Sequence, residues 1–182
     1  MKYLFFISIL FSCVFTNAQN KYLTKNGAIQ FEASVPSFEE VKANNNSVTA
    51  ILNTANGEFA SLALIKGFRF KVALMEEHFN ENYMDSDKYP KAILKGKIKG
   101  FSTHKLSESA KKYVLTSTLT VHGETKKIDI PVVLKKIDNI IYISSTFSIT
   151  PEEFNISIPK VIRKKVAQKI DVSVNFELHE KK

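Results

Sequence analysis

The amino-acid sequence predicts an all-β protein of about eight antiparallel strands, and three observations carry that reading. Apolar and polar residues alternate with period two along most of the chain, most cleanly where Ile170, Val172, Val174, Phe176 and Leu178 interleave with Asp171, Ser173, Asn175, Glu177 and His179. Alternation of this kind buries one strand face and wets the other, as in antiparallel sheets. Short turn signals such as Asn56-Gly57 and Asp138-Asn139 separate the alternating runs. Helices are not interleaved between the strands. About eight strands joined by short turns close as a barrel or stack as a sandwich.

The first residues stand outside that pattern. Lys2 gives a positive start, Tyr3 to Phe15 is an apolar run, and Thr16-Asn17-Ala18 before Gln19 makes a small-residue cleavage site. The run is shorter than the about 20 apolar residues that span a membrane. The expectation is a signal peptide over residues 1–18, one mature domain over 19–182, and export to the periplasm or the medium. Leu10-Phe11-Ser12-Cys13 offers a weaker lipoprotein alternative, because Phe11 is bulky for a lipobox. Cys13 is the only cysteine, so a chain cleaved at Ala18 has none. Thiol catalysis, disulfides and cysteine metal sites are thereby excluded from the mature domain, which must be held by its core alone. The formal charge of +8 favours anionic surfaces such as lipid head groups or polymers. Nucleic acid is not an expected partner of an exported chain whose lysines are scattered.

Taken in order, Ile29, Phe31 and Ala33 begin the alternation around Gln30 and Glu32. Ser37-Phe38-Glu39-Glu40 carries a Ser-x-x-Glu capping signature and predicts a helical turn. Asn44-Asn45-Asn46 reads as a loop, since Asn tolerates turn geometry. Strands follow at Val48 to Leu52, Phe59 to Ile65, and Phe68 to Phe70 beyond a turn or bulge at Gly67. Leu74 to Pro90 breaks the pattern with a short helix. Met75, Phe79 and Tyr83 recur at i, i+4, i+8 along one face, with Glu76, Glu77, Asn80 and Glu81 on the wet side. Asp85-Ser86-Asp87 stops it, and Tyr89 before Pro90 is pushed into an extended exit. One apolar helix in a β protein needs a surface to cover, and the end of the sheet is that surface.

Strands resume at Ala92 to Ile98 and Tyr113 to Val121, then turn at His122-Gly123-Glu124 into Ile128 to Val133. Ile140 to Phe147 follows. Thr150-Pro151-Glu152-Glu153 repeats the capping signature with Pro at the first helical position. In Pro159 to Lys169, the residues Ile158, Ile162, Val166 and Ile170 repeat every four, with Arg163, Lys164, Lys165 and Lys169 between them. That segment reads as a connector whose apolar edge packs on the sheet, or as a membrane-surface helix. Ile170 to Leu178 closes the chain.

Catalytic chemistry is not written here. His78, His104, His122 and His179 lack the short spacing of a metal site. No nucleophile elbow, phosphate-binding loop or dinucleotide fingerprint occurs. The paired carboxylates Glu39-Glu40 and Glu152-Glu153 are explained by helix capping. No metal and no cofactor are expected. An enzyme on this scaffold would need His78 or His122 to meet a carboxylate inside the pore.

The segment His78-Phe79-Asn80 through Asp87-Lys88-Tyr89-Pro90-Lys91-Ala92 resembles the helix, KYP and strand of the YceI-like family of exported lipid-binding proteins. Leu115 to Val133 is similar to that family's second signature, and Phe147 to Ile156 occupies the place of its third. The likeness covers most of the mature chain. It departs at Leu74-Met75-Glu76-Glu77, where an Arg-Asp pair is usual, and at Ile93-Leu94, where an aromatic is usual. The resemblance implies an eight-stranded antiparallel barrel, lipocalin-like, with one or two short helices and a long apolar pore. It further implies a polyisoprenoid or similar amphiphilic lipid as partner. Burying about twenty carbons at about 0.8 kcal/mol each offers about 15 kcal/mol gross, and lost ligand freedom removes a large part. The alternative is a non-catalytic interaction module with a filled barrel and a basic, envelope-facing surface. Transient contact with an anionic membrane and a homodimer remain open as partners.

Alternation then proposes which side chains line the pore. Phe68, Phe70, Phe79, Met84, Leu115, Leu119, Ile141, Ile143, Val174 and Phe176 are the candidates. A strand slipped by one residue would invert any of these sets.

Overall fold

The computed structural model describes residues 21–181. The expected leader over residues 1–18, with Cys13, lies outside them. Eight long strands run in chain order: β1 (Lys21–Glu32), β2 (Lys42–Asn53), β3 (Glu58–Leu64), β5 (Lys91–Ile98), β6 (Lys111–Val121), β7 (Glu124–Ile137), β8 (Ile140–Ile149) and β9 (Ile170–Glu180). A two-residue β4 (Arg69–Phe70) adds to the edge of β2, pairing Phe70 with Ala43 and Arg69 with Asn44. Every pairing is antiparallel. The order β1-β9-β8-β7-β6-β5-β3-β2 returns to β1, so the eight long strands close into a barrel with no long free edge.

Turn chemistry fixes the register as the sequence requires. His122 and Gly123 both take positive φ, 50° and 80°, which matches the right-handed twist of a two-residue hairpin between β6 and β7. Asp138 does the same at φ 52° between β7 and β8. The two ends of the barrel differ. The 54–57, 99–110 and 138–139 connections cover one end. There Tyr22, Leu52, Leu134, Ile141 and Leu178 pack as a solid core, and the Tyr22 hydroxyl donates to Asn139 Oδ1 at 3.0 Å. The opposite end carries the long connections, residues 33–41, 65–90 and 150–169.

Three local expectations are corrected. Asn44-Asn45-Asn46 is not a loop but the first half of β2. Asn45 faces inward and is fully buried. Its Nδ2 donates to the Leu64 carbonyl at 3.0 Å, and its Oδ1 accepts from the Ser47 N–H at 2.9 Å and the Ser47 hydroxyl at 2.8 Å. Satisfied in this way, an amide can sit in a core strand. Gly67 lies against that amide, where a Cβ would come within 2.6 Å of Asn45 Nδ2. Ser37 does not begin a helix, because its φ of 73° is left-handed whereas an N-cap residue is extended. Residues 159–169 form successive turns rather than a helix, with Pro159 O accepting from both Ile162 and Arg163. The second capping signature does start a single 3₁₀ turn, Pro151–Phe154, ended by Asn155 at φ 56°.

The helix begins as expected and then widens. α1 (Ala73–His78) continues as a π-helical turn, Phe79–Tyr83, in which the Met84 N–H donates to Phe79 O. The wider turn brings both Tyr83 and Met84 toward the barrel, which a strict i, i+4 stripe does not do. Glu76, expected on the wet side, reaches β4 instead. One carboxylate oxygen accepts from Arg69 Nη1 at 2.9 Å and the other from the Phe70 N–H at 3.1 Å. The helix is thereby tied to the barrel edge.

Candidate functional site

Above the packed end the barrel interior is open. A cavity of about 370 Å³ runs from mid-barrel to the end carrying the long connections. Alternation puts its wall together strand by strand. Ile29 and Phe31 come from β1, Ala63 from β3, Ala92 and Leu94 from β5, Leu115 and Leu119 from β6, and Ile130 and Val132 from β7. Ile143 and Phe147 of β8 and Val172, Val174 and Phe176 of β9 complete it. Phe59 and Phe176 form its floor, with ring centroids 5.8 Å apart. Phe176 takes that position because Gly27 of β1 lies beneath its ring, where any Cβ would collide with it. A filled-barrel reading needs an interior packed with side chains, and this interior is not.

Near the rim four phenylalanines pack against one another. Phe31, Phe68, Phe70 and Phe79 have ring centroids 5.1–5.8 Å apart, in the tilted and edge-on arrangements that aromatic quadrupoles favour. Through Phe79, the helix joins this cluster. Met75, His78, Tyr83 and Met84 face the same space. Across the opening stand Phe38 and Glu39 of the 33–41 connection and Ile158, Ile162, Lys165 and Val166 of the 150–169 connection. The Ala167 N–H donates to Ala33 O at 2.8 Å and holds the two connections together.

Polar groups are sparse and unevenly placed. Within the wall only Ser61 and Ser145 are polar, and the Ser145 hydroxyl is spent on the Pro131 carbonyl at 2.5 Å. Glu39, His78, Tyr83 and Lys165 lie toward the rim. Burial pushes the Tyr83 phenol above its ordinary value. The deep part is therefore built for hydrocarbon, and only the entrance offers hydrogen bonds or charge. His122 is engaged elsewhere: its Nδ1 lies 3.1 Å from Phe154 O, and its ring meets Tyr89 edge-on at 4.6 Å. Among the described residues no group of three or more His, Cys, Asp or Glu could hold a metal ion.

Nine of the ten pore candidates line this cavity: Phe68, Phe70, Phe79, Met84, Leu115, Leu119, Ile143, Val174 and Phe176. Ile141 does not. It points inward as alternation requires, but it pairs with Leu178 and Lys136 beside the 138–139 hairpin, inside the packed end. Period two gives the face of a residue and not its depth along the barrel. Phe31, Ala92, Leu94, Phe147 and Val172 also line the wall, beyond the residues expected from the sequence. Each has the same inward parity as a residue that was chosen on a neighbouring strand or on its own.

A closed antiparallel barrel of eight long strands with one apolar cavity belongs to the class of small barrels able to enclose a ligand. The particular family is defined by sequence. Residues 16–178 match the YceI-like domain, and the chain belongs to that family. No curated protein matches the chain significantly. Among solved structures, it is similar to a polyisoprenoid binding domain from Saccharophagus degradans implicated in plant cell wall breakdown. That likeness has TM-score 0.78 at 11% identity, over 90% of this chain and 99% of that one. BcnA of Burkholderia cenocepacia is similar with TM-score 0.67 at 14% identity, over 83% of this chain and 95% of that one. The YceI protein of Campylobacter jejuni is similar with TM-score 0.61 at 17% identity, over 82% and 90%. At these identities the likeness establishes a shared fold.

Proposed function

We propose that this protein is an exported, non-catalytic carrier that holds a polyisoprenoid or another long apolar lipid in its barrel. The observation that carries the reading is the cavity, deep and almost wholly apolar, with its polar groups confined to the rim. Such a lining rewards burial of hydrocarbon and offers no anchor for a polar body. The lipid tail lies between Phe59 and Phe176 at the floor and the four-phenylalanine cluster at the rim, and its polar end stays near Tyr83, His78 and Lys165. Export is supported by the leader-like residues 1–18. The family relation and the polyisoprenoid binding of the Saccharophagus domain support the ligand class.

A cavity-filling substitution tests the assignment of the site. Ala92 sits on the wall between the two halves of the core, touching both. Ala92→Phe places a ring in the cavity, with a stability change expected to stay within about 1.5 kcal/mol because the space is empty. Delipidated wild type should bind a long-chain polyprenol in a fluorescence-quenching titration, and the variant should bind it at least tenfold more weakly. Equal binding by a folded variant would remove the cavity as the site.

A further inference from the structure

The rim has an outer side that the carrier reading leaves unused. Residues 155–170 contain Lys160, Arg163, Lys164, Lys165 and Lys169 and no carboxylate. None of these five cations is in an ion pair among the described residues. The Ile162 N–H donates to Pro159 O at 3.0 Å, so Lys160 and Val161 are the two central residues of a tight turn. The Arg163 guanidinium donates to Ile158 O at 3.3 Å and braces that turn. Val161 stands at its apex, 87% exposed, beside the Lys160 cation. On the other side of the same segment Ile158, Ile162 and Val166 face the cavity. On the neighbouring 33–41 connection, Phe38 is a second large apolar side chain that is 47% exposed.

Opposing charge stands at the start of the same connection, at Glu152 and Glu153, and on the other elements of the rim. Glu39 and Glu40 lie on the 33–41 connection, and Glu76, Glu77 and Glu81 on the helix. Glu76 is already paired with Arg69. The rim is thus uneven in charge: residues 155–170 carry five cations and no carboxylate, whereas residues 65–90 mix Lys66, Arg69, Lys71 and Lys88 with five carboxylates.

We infer that the 155–169 connection docks the barrel on an anionic lipid bilayer, with Val161 entering the headgroup region and Lys160, Arg163 and Lys164 on the phosphates. Charge complementarity selects this occupant, and the apolar apex beside the cavity mouth fits an interface that is charged outside and apolar within. Docking is one-sided, because residues 65–90 are nearly neutral, four cations against five carboxylates, whereas residues 155–170 carry five cations unopposed. This inference rests on the carrier reading, since a mouth held against a bilayer is the geometry for exchanging a lipid without exposing it to water.

The test is sedimentation with vesicles of equal phosphatidylglycerol and phosphatidylcholine, compared with phosphatidylcholine alone. The full chain should bind the anionic vesicles in low salt and lose most of that binding at 0.5 M salt. Lys160→Gln/Arg163→Gln/Lys164→Gln, all outside the cavity wall, should weaken binding about a hundredfold. Val161→Ser should weaken it severalfold at every salt concentration. Equal binding to both vesicle types, or an unaffected triple variant that unfolds normally in urea, overturns the proposal. Binding to a soluble polyanion without binding to vesicles also overturns it, in favour of an acidic polymer as partner. Organic extraction of the same preparations separates this from the carrier reading. The triple variant should still carry its lipid, so lost docking with retained lipid leaves the cavity assignment standing.

Discussion

At the residue scale, buried polar groups decide what alternation alone cannot. Asn45 occupies a core strand because both ends of its amide are hydrogen-bonded, to Leu64 and to Ser47. Asn45→Ala strands the Leu64 carbonyl and the Ser47 N–H and should cost about 1–3 kcal/mol in urea unfolding. No change in the unfolding midpoint would contradict that account. Asp129 tests a surface group. The Thr116 hydroxyl, directly across β6 and β7, holds its carboxyl below the ordinary value, and Lys99 adds to the effect. A depressed carboxyl stabilises the fold above its unfolded pKa, and that contribution is lost as pH falls through the folded value. Asp129→Asn should therefore be slightly less stable than wild type at pH 7, the difference vanishing below the folded pKa. A difference that grows on acidification would reverse the sign. The sequence did not show Asn45, since three successive Asn carry a turn signature and the partner that rescues one of them comes from β3. Ile141 failed for another reason: depth in a barrel is set by where the hairpin falls, not by parity.

At the scale of elements, the strands were legible because each one repeats a local rule. The connections were not, because tertiary contacts rule them. Ser37 has the residue type of a cap but the backbone of a left-handed turn. The 159–169 repeat has helical spacing, yet its apolar residues are held by the cavity and by the Ala33 carbonyl rather than by a helix axis. The helix was placed correctly, and its π-helical turn was not foreseen because the widening serves Met84 and Tyr83 against the barrel. Phe79 is the side chain that ties this element to the rim, with three aromatic neighbours on β1, β4 and the preceding connection. Phe79→Ala should cost about 2–3 kcal/mol, toward the low end for Phe-to-Ala since the ring is only half-buried. It should also speed amide exchange over residues 73–84 while β6 and β7 stay protected. Uniform loss of protection across the barrel would show that the helix is not a separable cover.

At the scale of the molecule, the fold divides its interior between stability and function. Closure leaves no long unpaired edge, and the packed end supplies a core that needs no disulfide. The other end gives up packing to keep a cavity whose walls are apolar and whose polar groups stand at the entrance. Fold and family were readable from the KYP segment and the hairpin signature, two local patterns that meet in the fold where Tyr89 packs on His122 and Gly123. The identity of a ligand was not readable, because an apolar wall specifies length and dryness more than chemical identity. The measurement that bears most directly on the account is native mass spectrometry of the gently purified protein, followed by organic extraction and identification of what it carries. The expected result is a mass excess of one long-chain, predominantly hydrocarbon lipid per barrel, released by solvent and absent from Ala92→Phe. A protein of bare polypeptide mass that takes up no long-chain lipid when offered it would contradict the central claim.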